Sequence, residues 1–193
     1  MSYLKKYTVI VFFLSFVSTN LFAASEEFIG VIGAAIGDIK NQKSEKLDNG
    51  SKIFYGDTII VEAKSNAQIL FLDQTVITVG EKSELTIDEF VYDPETSVGK
   101  FVSNIKSGTV KVITGEISKN NPDNLEVNIP TGTIGARGTE FVVLTENNKK
   151  STVVLLGPGP NNTLGMMPGN LLVSDGFNSI DITKPGFQTV VTD

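Results

Sequence analysis

The chain has 193 residues, with 16 Lys plus Arg against 22 Asp plus Glu and a formal net charge of −6. It contains no His, Cys or Trp, which excludes Ser-His-Asp and Cys-His catalysis, disulfides, and zinc held by nitrogen or sulfur. The acidic balance argues against nucleic acid and anionic lipid surfaces as partners.

At the N-terminus, Lys5 and Lys6 precede the apolar run YTVIVFFLSFV (7–17), and STNLFAAS (18–25) ends in small residues. Basic, apolar and small-residue regions in that order make a secretory signal. Cleavage is expected after Ala23, with Ala24 as the alternative, giving a signal of residues 1–23 and one domain over 24–193. Ser18, Thr19 and Asn20 interrupt the apolar run too early for a membrane span, so an uncleaved anchor is the lesser reading. Removing residues 1–23 takes two lysines and no acid, so the charge moves from −6 to −8. The remaining length can bury a core of its own. The expected location is the periplasm, with no stable membrane span after cleavage.

Beyond the signal no stretch keeps a helical apolar period, while short β-branched runs recur between Gly, Asn, Asp and Pro clusters. The pattern predicts an all-β fold with strands near 28–32, 36–40, 52–54, 58–63, 67–73, 75–80, 84–90, 98–105, 109–114, 125–129, 139–146, 151–156, 170–174, 178–183 and 187–192. LEVNI (125–129) alternates as a half-buried strand does, with Leu125, Val127 and Ile129 on one face. QILFLD (68–73), EFVVLTE (140–146) and TVVLLG (152–157) are apolar on both faces, which predicts a central position covered on each side. Many short strands with little helix favour a jelly-roll-like sandwich or β-roll.

The punctuation is informative as well. DNG (48–50), SDG (174–176) and YDPETSVG (92–99) are turns. GPGPNNTLGMMPG (157–169) admits no regular element, and its Met166 and Met167 either re-pin the loop to the core, the favoured reading, or form an adaptable apolar contact. Phe177 and Phe187 follow turns, so each is a core plug by default or an exposed anchor.

Several of these stretches together resemble the periplasmic FecR domain: VIGAAIGDIK (31–40), LDNGSKIFYGD (47–57), TIIVEAKSNAQILFLDQTVITVGEKSELTIDEF (58–90), SGTVKVITG (107–115) and IPTGTIGARGTEFVV (129–143). The last is the most specific, reading P-T-x-x-I-G-x-R-G-T-E-F. The resemblance is strong over residues 30–145, and 151–193 resembles a C-terminal strand extension. It implies a jelly-roll-like domain in the periplasm. Two departures stand out. The family's Asp-Gly-Ser hairpin is Asp73-Gln74-Thr75, and Gln74 disfavours positive φ, which predicts a different turn. The family's regulators carry a cytoplasmic anti-sigma segment and a transmembrane helix where this sequence has an export signal, so the resemblance does not imply iron-uptake regulation.

The signature stretch is not a phosphate loop. It lacks the Lys-Ser/Thr ending of a Walker loop, and a β-branched run rather than a helix follows it. Pro130, Gly132, Gly135, Arg137, Gly138, Thr139 and Glu140 therefore read as structural signature residues. The glycines allow bends and close backbone approach, and Pro130 ends the preceding strand's ladder. Arg137, the chain's one arginine, is expected to be at least half-buried and tied to a carboxylate such as Asp57 or Asp73. Its alternative role is recognition of an anionic ligand. No acidic run has calcium-loop spacing, and sugar-stacking aromatics are scarce. No catalytic residue, cofactor or metal is expected. The sequence reads as a non-enzymatic binding, sensing or signalling module for an envelope protein or peptide. The alternative is an anionic-solute binding protein or a carboxylate-based hydrolase using Arg137 and nearby acids.

Overall fold

The structure, a computed structural model, describes residues 27–193. The expected signal and its cleavage point lie outside these residues. The chain folds as strands β1 (Gly30–Ile36), β2 (Ile39–Asn41), β3 (Lys52–Ile53), β4 (Thr58–Val61), β5 (Asn66–Phe71), β6 (Val76–Val79), β7 (Ser83–Asp93) and β8 (Val98–Ile113). A short helix α1 (Glu116–Asn120) and a 3-10 turn (Pro122–Asn124) follow. Then come β9 (Leu125–Ile129), β10 (Gly132–Arg137), β11 (Glu140–Asn147), β12 (Lys150–Gly157), β13 (Asn170–Ser174), β14 (Ser179–Ile182) and β15 (Gln188–Thr192). The protein is all-β, as its pattern predicts.

The strands form two layers that share β8. The front layer runs β3-β1-β5-β6-β8-β11-β12-β15, and the back layer β2-β4-β7-β8-β9-β10-β13-β14. Among these neighbours only β8 and β9 run parallel. The first part of β8 pairs with β7 and β9 in the back layer, and its end, Gly108–Ile113, crosses to pair with β6 and β11 in the front. Gly108 makes the crossing possible. Its φ is +87°, and a Cβ there would run into the backbone and side chain of Ser83.

Alternation puts one side of each layer inward, and the buried side chains form one hydrophobic cluster. Phe71 from the front layer packs on Phe90 and Phe101 from the back, with ring centroids 5.7 and 4.8 Å apart. Offset contacts of this kind add to the area that the rings bury.

The strand list holds with two differences. The predicted strands 98–105 and 109–114 are one bent strand, β8, because Lys106-Ser107-Gly108 supplies a crossing rather than a turn. The glycine-rich segment 132–137, read as bends, is strand β10, with Ile134 and Ala136 buried. A third expectation is corrected. β5, β11 and β12 are not covered on both faces: their inner residues are buried, yet Leu70, Leu144 and Leu156 are 40%, 38% and 43% exposed on the outer face.

The hairpin between β5 and β6 also differs from its prediction. Gln74 adopts φ +69° despite its side chain, closing a turn in which its N–H donates to the Phe71 carbonyl. A left-handed residue closing a three-residue hairpin loop is a common build for such connections. Asp73 holds it: Oδ1 accepts from the Thr75 N–H at 3.0 Å and Oδ2 from the Thr75 hydroxyl at 2.8 Å. Burial pushes the Asp73 carboxyl above the ordinary carboxylate value, and the hydrogen bonds from Thr75 oppose that shift.

Candidate functional site

The signature segment builds two different surfaces. β9 stops at Ile129, and Pro130 and Thr131 form the tight connection to β10. Gly132 lies against the Ser174 carbonyl, where a Cβ would collide. Gly138 ends β10 at φ +54°, turning the chain out of the back layer and into front-layer strand β11. Thr139 locks that turn: its N–H donates to Thr114 Oγ1 and its hydroxyl to the Gly157 carbonyl, both at 2.9 Å. Glu140 faces outward and pairs with Lys111 on the neighbouring strand. The Ser118 hydroxyl donates to the Ala136 carbonyl, fastening α1 beneath β10.

Arg137 departs from expectation. It is exposed, and among the described residues its side chain makes neither an ion pair nor a hydrogen bond, because its position on β10 points it to the outer side of the back layer. The carboxylates proposed as its partners are engaged elsewhere. Asp57 takes the Phe54 N–H and the Gln42 amide, and Asp73 takes Thr75.

Around Arg137 lies a groove of about 350 Å³ on that outer side. Strand register explains its shape. Glu126, Gly135, Leu172 and Asp181 fall in one row across β9, β10, β13 and β14, and the missing side chain at Gly135 leaves a trough in the row. Arg137 and its cross-strand partner Asn170 stand in the adjacent row. The Asn170 amide donates to Asp181 Oδ1 at 3.2 Å, and its own Oδ1 has no partner.

The second surface is the outer side of the front layer. Leu70, Ile113, Leu144, Leu156 and Val190 are all exposed there, and Val142 and Val154 are register partners between them. The Lys111–Glu140 pair sits within this face. At the far end of the sandwich, Phe177 is 96% and Phe187 60% exposed, so neither is the core plug its default reading gives. Each sits on a turn: Asp175 Oδ1 accepts from the Phe177 and Asn178 N–H groups in the SDG turn, and the Phe187 N–H donates to the Lys184 carbonyl after Gly186 at φ +81°. Met166 and Met167 are 51% and 44% exposed, so neither is a core residue, and the Met167 side chain lies over Gly138. Asn162 shapes the loop, bonding both the N–H and the carbonyl of Met166. Among the described residues no cluster of three or more Asp, Glu, His or Cys is placed to hold a metal, and no helix is long and apolar enough to cross a membrane.

The family model described as FecR protein matches residues 57–158, more than half of the chain. The chain belongs to the FecR family. The matched stretch of this FecR chain runs from Asp57 through the signature to Pro158 and so contains the β8 crossing, the whole of β10, and β11 and β12 of the apolar face. Two crystal structures of a candidate anti-sigma factor from Parabacteroides distasonis ATCC 8503, at 2.50 and 1.65 Å, are similar to it in fold. Each has a TM-score of 0.50 and 13% identity, over 70% of this chain and 54% of theirs. The FecR chain thus spans about half the length of that protein. No curated protein matches the sequence.

Proposed function

We propose that this FecR chain is an exported, non-enzymatic sensing module of the periplasm, and that it docks an envelope protein or peptide on the outer face of its front layer. The observation carrying this reading is the uncovered apolar face formed by Leu70, Ile113, Leu144, Leu156 and Val190. Exposed apolar side chains gathered on one sheet face, here set around the Lys111–Glu140 pair, are a feature of interaction sites. A sequence that places leucines at outward positions of three neighbouring or near-neighbouring strands maintains such a patch against the tendency of exposed sheet faces to be polar. FecR membership and the anti-sigma designation of the similar structure support signalling, and the basic-apolar-small pattern of residues 1–23 supports export. The exposed methionines Met166 and Met167 offer a further adaptable apolar contact on the loop after β12.

Crosslinking in intact cells followed by affinity recovery tests the reading. The native chain should recover one enriched envelope partner, and the double variant Leu144→Lys, Leu156→Lys should lose it without a change in melting temperature. Equal recovery by both, or no partner for the native chain, contradicts it.

A second reading, an anionic-solute binding protein or a carboxylate-based hydrolase centred on Arg137, is favoured in its binding half by the unpaired guanidinium in the back-layer groove. Ligand-dependent thermal shifts that vanish in Arg137→Ala would support it.

A further inference from the structure

Gly135 is a glycine that the fold does not require. Its φ is outside the left-handed region, and a Cβ built on it meets nothing closer than Leu172 at 4.0 Å. Glycine inside a strand costs about 0.5–1 kcal/mol relative to alanine. Other glycines of the chain repay that cost in geometry: Gly108 and Gly132 face atoms that a Cβ would strike. At Gly135 the space above the backbone is open, and it is the trough of the groove. An interior strand glycine with free space above it marks a place where another molecule approaches the backbone closely.

Two further features converge on the same trough. Arg137 projects from the same face two residues along β10, about 7 Å from Gly135 at the usual strand rise, with its planar donor fork unused. Across the strands, Glu126 adjoins Gly135 in the row while Asp181 lies beyond Leu172, and Asn170 keeps an acceptor without a partner in the adjacent row. The charges are therefore mixed: Arg137 stands at one end, the carboxylates of Asp123, Glu126 and Asp181 line the rest, and Lys100 lies within electrostatic reach of Glu126. A dianionic phosphate would meet those carboxylates at close range, so phosphate chemistry is disfavoured. A ligand that carries both a carboxylate and an ammonium several ångströms apart satisfies both signs.

We propose that the groove over Gly135 binds a short zwitterionic peptide or diamino acid, with its carboxylate on the Arg137 guanidinium and its ammonium on the Glu126 carboxylate, the register neighbour of Gly135. The groove volume of about 350 Å³ suits a ligand of dipeptide size. The site deepens the solute-binding reading above and is independent of the front-layer docking face, which lies on the opposite side of the sandwich.

Titration of the ¹⁵N-labelled chain with glycyl-L-lysine tests it, with glycyl-L-lysine amide as the comparison. The dipeptide should shift amides of β9, β10, β13 and β14 with a Kd in about the millimolar range or tighter. The amide form, which lacks the carboxylate, should bind about tenfold more weakly. Arg137→Gln should remove that discrimination, and Gly135→Val should abolish binding while leaving the melting temperature unchanged or raised. Three results would overturn the proposal: no localised shifts in the native chain, undiminished binding in Gly135→Val, or a melting temperature several degrees lower in that variant, which would make the glycine a requirement of the fold. Loss of the docked envelope partner in the front-layer variant, with dipeptide binding intact, would separate the two sites.

Discussion

At Thr75 one hydroxyl serves two buried groups. It donates to Asp73 Oδ2 at 2.8 Å and accepts the Gly115 N–H at 3.0 Å, joining the β5–β6 hairpin to the turn before α1. Thr75→Val keeps the volume but strands both groups, each at a cost of about 1–3 kcal/mol. At roughly 2–4 °C per kcal/mol for a chain of this size, calorimetry should record a melting temperature lower by several degrees. The loss should also depend on pH. The folded-state pKa of Asp73 is raised, so between its unfolded value and that raised value the native state holds the proton more tightly, and stability declines as pH rises through this window. The hydroxyl of Thr75 stabilises the Asp73 carboxylate, so its removal lets burial raise the folded-state pKa further and extends the window upward. The deficit of Thr75→Val should therefore be larger at neutral pH than near pH 4, and a deficit that shrinks with rising pH would contradict the assignment. The sequence made the Asp73-Gln74-Thr75 turn visible but not its form. A left-handed Gln74 is strained locally, and the strain is borne because Asp73 and Thr75 tie the loop from both sides. Arg137 differs from its expectation for a similar reason: composition singles out a lone arginine, but only strand register tells which face it takes.

Among the elements, β8 carries most of the architecture. One strand pairs with β7 and β9, bends at Gly108, and pairs again with β6 and β11. Gly108→Ala would combine a left-handed backbone with a collision against Ser83. Strain and overpacking together should cost about 2–4 kcal/mol, lowering the melting temperature by roughly 5–15 °C without abolishing folding. A change within about 1 °C would show that the crossing tolerates a side chain. Local pattern reading cut β8 in two here because Lys-Ser-Gly has the composition of a turn. The opposite error occurred at β10. Its inward Ile134 and Ala136 alternate with Thr133, Gly135 and Arg137, a period-two signal that was present but masked by glycines. Where alternation was unbroken, as in Leu125, Val127 and Ile129 of β9, the buried face was legible in advance.

On the scale of the whole molecule, the sandwich presents two unlike outer sides. The back layer carries a polar groove around Gly135 and Arg137, and the front layer carries the apolar face of Leu70, Ile113, Leu144, Leu156 and Val190. The sequence showed that β5, β11 and β12 are apolar on both sides. It could not show that one of those sides would stand uncovered, because cover is a property of the assembled layers and not of any strand. Exposed single substitutions usually change stability by no more than about 0.5 kcal/mol, so the front face can be altered with little effect on the fold. The most direct test of its role is a photocrosslinking amino acid placed in living cells at Leu144, with Lys106 on the back layer as the comparison position. The account predicts a discrete crosslinked envelope partner from position 144 and none from 106. Equal labelling from both positions, or no adduct from position 144, would contradict it.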